Sequence, residues 1–174
     1  QITDSDSEVI LATKAGLAIR FREHNVRPMG RATEGVRGIG MVGDDAVVGM
    51  VVARPDYTLL VVTEHGMGKR SDVKQYRLQH RGGKGVINLR VTDKTGPVVS
   101  IKAVSEGEQL MVVTRRGVVN RQPVRDIRVI GRATQGVRLV SLDEGDSVVD
   151  VARVVTEANA PIATHGSGKT EVSS

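Results

Sequence analysis

The sequence predicts an all-β fold of the propeller-like type, and three observations support this prediction. Residues 9–53, 59–104 and 110–154 are copies of one sequence repeat, with a period of 50 to 51 residues. Self-similarity at that spacing is typical of blade or array architectures. Val and Ile are frequent throughout, as a pleated and half-buried surface favours. No segment has a helical apolar period of useful length, although residues 71–76 and 122–127 could each form one short turn.

Each repeat begins with a predicted β-hairpin. Apolar runs at residues 9–13, 59–63 and 110–114 are followed, after two variable residues, by Gly16, Gly66 and Gly117. A second apolar stretch follows each Gly. Two short apolar runs joined by a Gly-bearing turn are a hairpin signal, because Gly accepts the positive φ that such turns need. These runs are therefore the first and second strands.

A polar connection of about a dozen residues then leads to a third and a fourth predicted strand. The third strand follows Gly35, Gly85 and Gly136. After an acidic or Gly-bearing turn, such as residues 43–45 or 144–146, the repeat closes on apolar runs at 47–52, 98–101 and 148–151. Four strands are the content of one propeller blade.

The domain boundaries follow from the repeats. We expect a linker at 1–8, three four-stranded blades at about 9–53, 59–104 and 110–154, and a flexible tail at 155–174. Closed propellers typically have four to eight blades, and an open arc leaves strand edges unpaired. We therefore expect three blades to form half of a larger disc or to meet a second copy.

Composition excludes several kinds of site. The chain has no Cys, so disulfides and thiolate metal sites are excluded. None of its four His residues has metal-ligand spacing to another, and we expect neither metal, cofactor nor catalytic residues in this segment. The acidic residues are expected to form turns; they are Asp44, Asp45, Asp143, Glu144 and Asp146. No signal peptide or membrane-spanning run is present, which predicts a cytoplasmic protein without membrane contact.

The tail contains a phosphate-loop-like stretch at residues 163–170. A phosphate-binding loop needs a following helix whose N-terminus faces the phosphates. Only four residues follow Thr170, which is too few for such a helix. We therefore expect no nucleotide binding there.

Charge provides the functional hypothesis. Lys and Arg outnumber Asp and Glu by 6 to 4, 9 to 3 and 8 to 5 in the three repeats, and the formal net charge is +5. The cations recur in register: Arg31, Arg81 and Arg132 share one position, and Arg20, Lys69 with Arg70, and Arg121 share another. In a disc, equivalent positions form basic bands. Such a band suits duplex DNA wrapped around it, because neutralising phosphates releases counterions without reading bases. Only three aromatic residues are present, which argues against the stacking used for single strands.

Three stretches, residues 26–39, 66–70 and 130–137, carry a resemblance to a known family. Across residues 8–154 the sequence resembles the C-terminal domain of the DNA gyrase A subunit, and in particular the last three of its six β-pinwheel blades. The resemblance implies that the chain wraps double-stranded DNA so that ATP-driven strand passage introduces negative supercoils. It also implies partners, namely the remaining gyrase A chain and the gyrase B subunit, near the bacterial nucleoid. ATP and Mg²⁺ would be used elsewhere in that type II topoisomerase.

Residues 79–85 resemble the family's gyrase box, with His80 where Lys or Arg is usual; they are Gln79, His80, Arg81, Gly82, Gly83, Lys84 and Gly85. The family's box lies in the first blade, whereas this copy aligns with the fifth; we therefore interpret it as the fifth-blade equivalent of the box, and the alternative that it is the true box stays open. Gly82 and Gly83 would let backbone approach phosphate, with charge from Arg81 and Lys84. Gly85 recurs as Gly35 and Gly136, so we assign it to the turn before the third strand.

The complete set of predicted DNA contacts is Arg20, Arg22, Arg31, Arg37, Lys69, Arg70, Lys74, Arg81, Lys84, Arg121, Arg132 and Arg138. Two alternatives remain open at this point. The chain could be the related C-terminal domain of topoisomerase IV, or a protein-interaction propeller whose basic rim is incidental.

Overall fold

Three antiparallel sheets form the framework of the protein, for which a computed structural model describes residue 3 and residues 6–155. The strands are β1 (Glu8–Thr13), β2 (Leu17–Arg22), β3 (Val47–Ala53), β4 (Thr58–Thr63), β5 (Met67–Asp72), β6 (Val86–Ile87), β7 (Val98–Val104), β8 (Gln109–Thr114), β9 (Val119–Pro123), β10 (Val137–Arg138) and β11 (Val148–Val154). In the described residues, helical structure is confined to short 3-10 turns at Glu23–Asn25, Val73–Gln75 and Val124–Asp126. The all-β prediction is confirmed.

The third strands of the second and third repeats each pair with the preceding repeat. The sheet orders are β3-β1-β2-β6, β10-β5-β4-β7 and β11-β8-β9. Strand β6 belongs to the second repeat by sequence, yet it pairs with β2 of the first, with Val86 opposite Ala18. Strand β10 pairs in the same way with β5, with Val137 opposite Gly68.

This exchange refines the predicted assignment of four strands to one repeat. Among the described residues the first two sheets have four strands and the third has three, because no following repeat supplies a partner for β9. Residues 36–37, the equivalents of β6 and β10, form no strand, and the described residues contain no sheet before the first that they could join. The connection between second and third strand is long enough to cross from one blade to the next.

The hairpin turns explain the repeated Thr and Gly. In the first repeat the Gly16 amide donates to the Thr13 carbonyl over 3.1 Å, and the Leu17 amide donates to the Thr13 hydroxyl over 3.2 Å. Thr63 and Thr114 accept the equivalent bonds in the other repeats. Gly16 has φ 90°, a left-handed conformation that Gly adopts without steric cost.

The hydrophobic core lies between the blades. Strand β4 is buried along nearly its whole length, with successive side chains facing the first and third blades. Ile10 and Val51 of the first blade pack in one cluster with Leu59 and Val61 of the second. The other face of β4 packs in a cluster with residues of the third blade, including Leu110 and Val112. Each blade is therefore stabilised by its neighbours.

The order of strands gives the sheets an inner and an outer edge. Strand β3 packs against β7, and β7 packs against β11, so the fourth strands of the three repeats lie together on the inside. Strands β6 and β10 close the opposite edge of their sheets. The connections that carry these strands therefore run along the outer perimeter. No helix among the described residues has the length and apolar character needed to cross a membrane.

Candidate nucleic-acid interface

Three loops follow this outer edge, and they hold the excess of positive charge. We call residues 22–37, 72–87 and 123–138 the perimeter loops; each begins where a second strand ends and includes the 3-10 turn and the third-strand segment. Together they hold 12 Lys and Arg against four Asp and Glu, whereas the rest of the chain has 13 against 16. The net positive charge of the chain is thus concentrated on one side of the sheets.

The cations of the perimeter loops are not neutralised by ion pairs. The described residues form three ion pairs, Arg20–Glu8, Arg70–Glu106 and Arg153–Glu108, and none of them uses a perimeter-loop cation. Seven of the predicted DNA contacts are exposed side chains: Arg22, Arg31, Arg37, Lys74, Lys84, Arg121 and Arg138. All of these except Arg121 lie on the perimeter loops. Solvated, unpaired cations along an outer edge can meet a polyanion without first breaking protein contacts.

Sequence reasoning missed one position of this surface. Arg27, Arg77 and Arg128 are equivalent by repeat alignment, are all exposed, and each follows a 3-10 turn by two residues. Arg125, the counterpart of Lys74, is exposed as well. The period itself could have identified them, since Arg recurs seven residues after Arg20, Arg70 and Arg121.

Arg81 and Arg132 hold adjacent blades together through backbone carbonyls. Arg81 donates from Nε to the Asn25 carbonyl over 2.9 Å and from Nη1 to the Arg37 carbonyl over 3.2 Å. Arg132 donates to the equivalent carbonyls of Gln75, over 3.0 Å, and Ile87, over 2.7 Å. Both side chains are half-buried. A guanidinium has five N–H donors, so each retains donors for a phosphate.

Arg31, at the same position of the first repeat, is different. It is exposed and makes no hydrogen bond or ion pair with the described residues, which include no blade before the first that could offer it carbonyls. The three arginines predicted to share one ring thus occupy equivalent positions. Arg81 and Arg132 form hydrogen bonds to a neighbouring blade there, whereas Arg31 does not.

The box-like loop is anchored to the first blade. The Gly82 amide donates to the Gly38 carbonyl over 2.6 Å, and the Gly40 amide donates to the Gly83 carbonyl over 2.8 Å. The Gly82 N–H is therefore committed within the protein and is not free for phosphate, which corrects the role we predicted for it. A Cβ on Gly85 would collide with the Ala18 carbonyl, which agrees with its assignment to the turn.

Side chains of the box-like loop nevertheless meet the first blade at the surface. Gln79 and His80 line a shallow cavity of about 190 Å³ together with Arg22 and His24. Because its lining comes from both loops, the first and second perimeter loops lie side by side at this cavity. Lys84 is exposed on the same loop.

The second predicted band is largely internal. Arg20 donates from Nε to Glu8 over 2.7 Å and from Nη1 to the carbonyls of Val73 and Tyr76, both over 3.1 Å. Arg70 donates to the Ile127 carbonyl over 2.8 Å and pairs with Glu106 over 2.6 Å. Arg70 is only 3% exposed. The second strand of the first repeat, β2, and that of the second repeat, β5, each border the next blade. The cations near their ends therefore contact that blade and not a ligand.

Lys69 must also be removed from the predicted DNA contacts. It is completely buried between the second and third blades, where Nζ donates to the Ser71 hydroxyl over 2.6 Å, and that hydroxyl donates to the Ile130 carbonyl over 2.9 Å. Burial and the nearby Arg132 guanidinium lower the pKa of Lys69 from 10.5 to about 7. Arg20, Lys69 and Arg70 are thus structural contacts between blades. Arg121 alone in this band is exposed, with a hydrogen bond to Gln109.

The acidic residues form turns, as expected. The Asp45 carboxylate accepts from the amides of Ala15 and Ala46, and Asp146 accepts equivalently from Arg116 and Ser147. Hydrogen bonds, chiefly from Thr114, hold the pKa of Asp146 below its ordinary value of 3.8. Within the described residues no three His, Asp or Glu side chains are grouped as metal ligands. The phosphate-loop-like stretch at 163–170 lies outside the described residues.

Exchanged strands, three blades and a basic perimeter define a propeller-type repeat module, and comparisons with known proteins identify its family. The sequence model of the "DNA gyrase C-terminal domain, beta-propeller" matches three times, at residues 7–54, 57–105 and 108–154. The chain therefore belongs to the DNA gyrase C-terminal domain family.

Individual relatives agree with this assignment. The chain is 44% identical to the DNA gyrase A subunit of Staphylococcus epidermidis over 90% of its own length, and 41% identical to that of Salmonella typhimurium over 88%. It spans only 18% and 17% of those two proteins.

Solved structures extend the comparison to the fold. A structure of the DNA gyrase A C-terminal domain is 30% identical, with a TM-score of 0.82, and the match covers 88% of this chain and 52% of that one. The C-terminal domain of DNA topoisomerase IV has a TM-score of 0.83 at 24% identity, which shows a shared fold alone. The predicted resemblance is confirmed.

Proposed function

We propose that the chain binds duplex DNA along its perimeter loops, without reading sequence, and bends the duplex around the outer edge of its blades. The observation that carries this proposal is the set of exposed perimeter cations without ion-pair partners among the described residues. Membership of the gyrase family supports the same function.

The proposed binding is electrostatic. Arg and Lys side chains contact phosphate oxygens, and each neutralised phosphate releases condensed counterions, which supplies the free energy of binding. The cations recur once per blade, so a duplex that follows the perimeter meets a similar group of charges at each step. Contacts of this kind offset the elastic cost of bending DNA, as in other architectural proteins.

Within a gyrase, the chain would act as the last part of the A subunit's DNA-wrapping domain. It would supply no catalytic residue, and DNA cleavage and ATP hydrolysis with Mg²⁺ would belong to the remaining gyrase A chain and to the gyrase B subunit. The bent duplex would be presented for strand passage, which supports ATP-dependent negative supercoiling in the bacterial cytoplasm, at the nucleoid.

A titration with duplexes of increasing length tests the DNA-binding proposal. Fluorescence anisotropy is measured at several salt concentrations with duplexes of unrelated sequence. We expect affinity to be independent of sequence, to rise with duplex length, and to fall with salt with a log-log slope of about −0.9 for each phosphate neutralised. Binding that is absent at low salt, or independent of length, would refute the proposal and favour a protein-interaction propeller.

Replacing Arg27, Arg77 and Arg128 with Gln gives a perimeter variant that should bind DNA more weakly, and a control variant with the same change in charge shows whether that loss is specific to the perimeter. Lys14, Lys94 and Arg115 are exposed and lie outside the perimeter loops. Replacing these three with Gln should leave the salt slope close to that of the parent chain. An equal loss of DNA affinity in the perimeter variant and in the control variant would indicate that the duplex is attracted by net charge alone.

A further inference from the structure

One position of the perimeter loops carries an exposed apolar side chain in every repeat. Pro28, Leu78 and Val129 are equivalent by the repeat period, and all three are exposed to solvent. Leu78 is 43% exposed and Val129 is 48% exposed. At every other position of these loops, at least one of the three repeats has a polar, buried or half-buried residue. Because isolated apolar side chains are common on protein surfaces, the informative feature is the recurrence in register.

Arginines flank this apolar position in the sequence of each repeat. One Arg comes directly before the apolar residue, and a second follows three residues after it; the pairs are Arg27 with Arg31, Arg77 with Arg81, and Arg128 with Arg132. The first Arg of each pair is exposed and forms no ion pair in the described part of the chain. A polyanion that reaches these arginines therefore also reaches the apolar side chain between them.

The backbone at Leu78 and at Val129 is held in place by the neighbouring blade. Leu78 forms a parallel bridge with Arg20 at the end of β2, and Val129 forms the same bridge with Arg70 at the end of β5. The amide that follows each apolar residue donates to the carbonyl of that arginine, over 2.8 Å at Arg20 and 2.9 Å at Arg70. A side chain on a fixed backbone loses less conformational entropy when it binds a ligand.

A DNA duplex offers two apolar surfaces beside its phosphates. One is the thymine methyl group in the major groove, which differs from base pair to base pair. The other is the deoxyribose ring, which is the same at every step, so contacts to it carry no sequence information. From the recurrence of one apolar residue between arginines, and resting on the proposed DNA binding, we infer that Pro28, Leu78 and Val129 pack against deoxyribose rings while the flanking arginines contact the adjacent phosphates.

Packing of this kind gives the complex a part of its affinity that does not depend on salt. Contacts between arginine and phosphate release counterions, so their contribution falls as the salt concentration rises. Burial of apolar surface releases no counterions and instead makes the heat-capacity change of binding more negative. The two kinds of contact therefore have separate experimental signatures.

A double variant, Leu78→Ala with Val129→Ala, tests the apolar contact. Its affinity for duplexes of unrelated sequence should be about tenfold lower than that of the parent chain, because apolar area is lost from the interface. The log-log salt slope should stay the same, since no cation has been removed. Isothermal titration calorimetry at several temperatures should give a less negative heat-capacity change. Replacing thymine by uracil in the duplex should change none of these results, because uracil lacks only the methyl group.

A matched control uses apolar side chains outside the perimeter loops. Val42 is 81% exposed and Val149 is 52% exposed, so Val42→Ala with Val149→Ala removes apolar surface elsewhere and should leave DNA binding as in the parent chain. If urea denaturation shows that the Leu78 and Val129 double variant is destabilised, Val129→Ala alone replaces it, with an expected loss of about threefold in affinity.

The outcomes separate this inference from the proposed function. A Leu78 and Val129 double variant that keeps the parent's affinity and heat-capacity change overturns the apolar contact and leaves the DNA-binding proposal intact. A lower salt slope in that variant, or a parent chain that binds uracil duplexes more weakly, overturns the packing on deoxyribose in the same way. A parent chain that binds no duplex at low salt refutes both.

Discussion

The ends of the second strands and the perimeter loops both carry cations that repeat with the blade period, yet the two regions do different things. Arg70 is buried against the carbonyl of Ile127 and an acidic partner, whereas Arg77, seven residues later, is exposed. Both arginines carry the same charge, and both positions recur with the same blade period. The difference teaches that repetition in register identifies equivalent environments but does not say whether an environment faces solvent or the next blade.

The largest expected effect concerns stability and the buried side of this comparison. Arg70→Met removes the donors to the Ile127 carbonyl and the pairing with Glu106, and leaves a buried carbonyl without a partner. We expect the free energy of unfolding to fall by about 2–4 kcal/mol in urea denaturation. The affinity of the folded protein for DNA, and its salt slope, should not change.

Arg121→Met is the matched control for this substitution. Arg121 has the same position in the third repeat but is exposed, so its replacement should change the free energy of unfolding by about 0.5 kcal/mol or less. Equal losses for Arg70 and Arg121 would show that packing against the next blade is not what gives Arg70 its role.

The next effect concerns DNA binding and the exposed side of the comparison. Replacing Arg27, Arg77 and Arg128 together with Gln should weaken binding to every duplex by about ten- to a hundredfold. The magnitude of the log-log salt slope should fall by about 0.9 for each phosphate that is no longer neutralised. Urea denaturation should show unchanged stability, since these side chains form no ion pairs in the described part of the chain. A weakening confined to one DNA sequence would contradict the backbone-contact mechanism.

A third, moderate effect is a pH dependence that comes from Lys69. Its folded-state pKa of about 7 lies below the ordinary 10.5, so between these values the unfolded chain binds more protons than the folded one. The contribution of this group to the free energy of unfolding therefore rises with pH from about 7 and is constant below it. Urea denaturation at pH 6 to 9.5 measures the rise, which Lys69→Met should remove.

The upper limit of that pH range is set by Tyr76. Burial raises the pKa of its hydroxyl above the ordinary value of 10.0, so stability declines as unfolded Tyr ionises at higher pH. If the free energy of unfolding of the Lys69→Met protein still rises by the same amount below pH 9.5, Lys69 is excluded as the source of the rise.

The smallest effect separates two cations of the box-like loop. Lys84→Gln should lower DNA affinity by less than about tenfold and reduce the salt slope by about 0.9, without changing stability, because the side chain is exposed. Arg81→Gln should additionally destabilise the first and second blades, since Arg81 donates to the carbonyls of Asn25 and Arg37. Thermal melting alongside the salt titration distinguishes them, and identical behaviour of the two variants would contradict the dual role of Arg81.

Much of the candidate surface could be predicted from the repeated phrase, and the errors share one cause. Arg22, Arg31, Arg37, Lys74, Lys84 and Arg138 are exposed on the perimeter as the sequence suggested. Lys69 and Gly82 were assigned to DNA although their polar groups are used within the protein. Both lie where a blade touches its neighbour, and a sequence alone does not show which carbonyls the neighbour brings.

The sequence by itself determined the number of repeats, their strand content and the basic character of the connections, because these depend on local periodicity and composition. Only the tertiary structure decided which sheet each third strand joins. That exchange buries Lys69 and Arg70, places Arg81 and Arg132 across blade boundaries, and leaves Gly35 and Gly117 facing open space. The physical reason is that pairing between repeats depends on contacts such as Ala18 with Val86, about 70 residues apart in the sequence, which the local pattern of a strand does not specify.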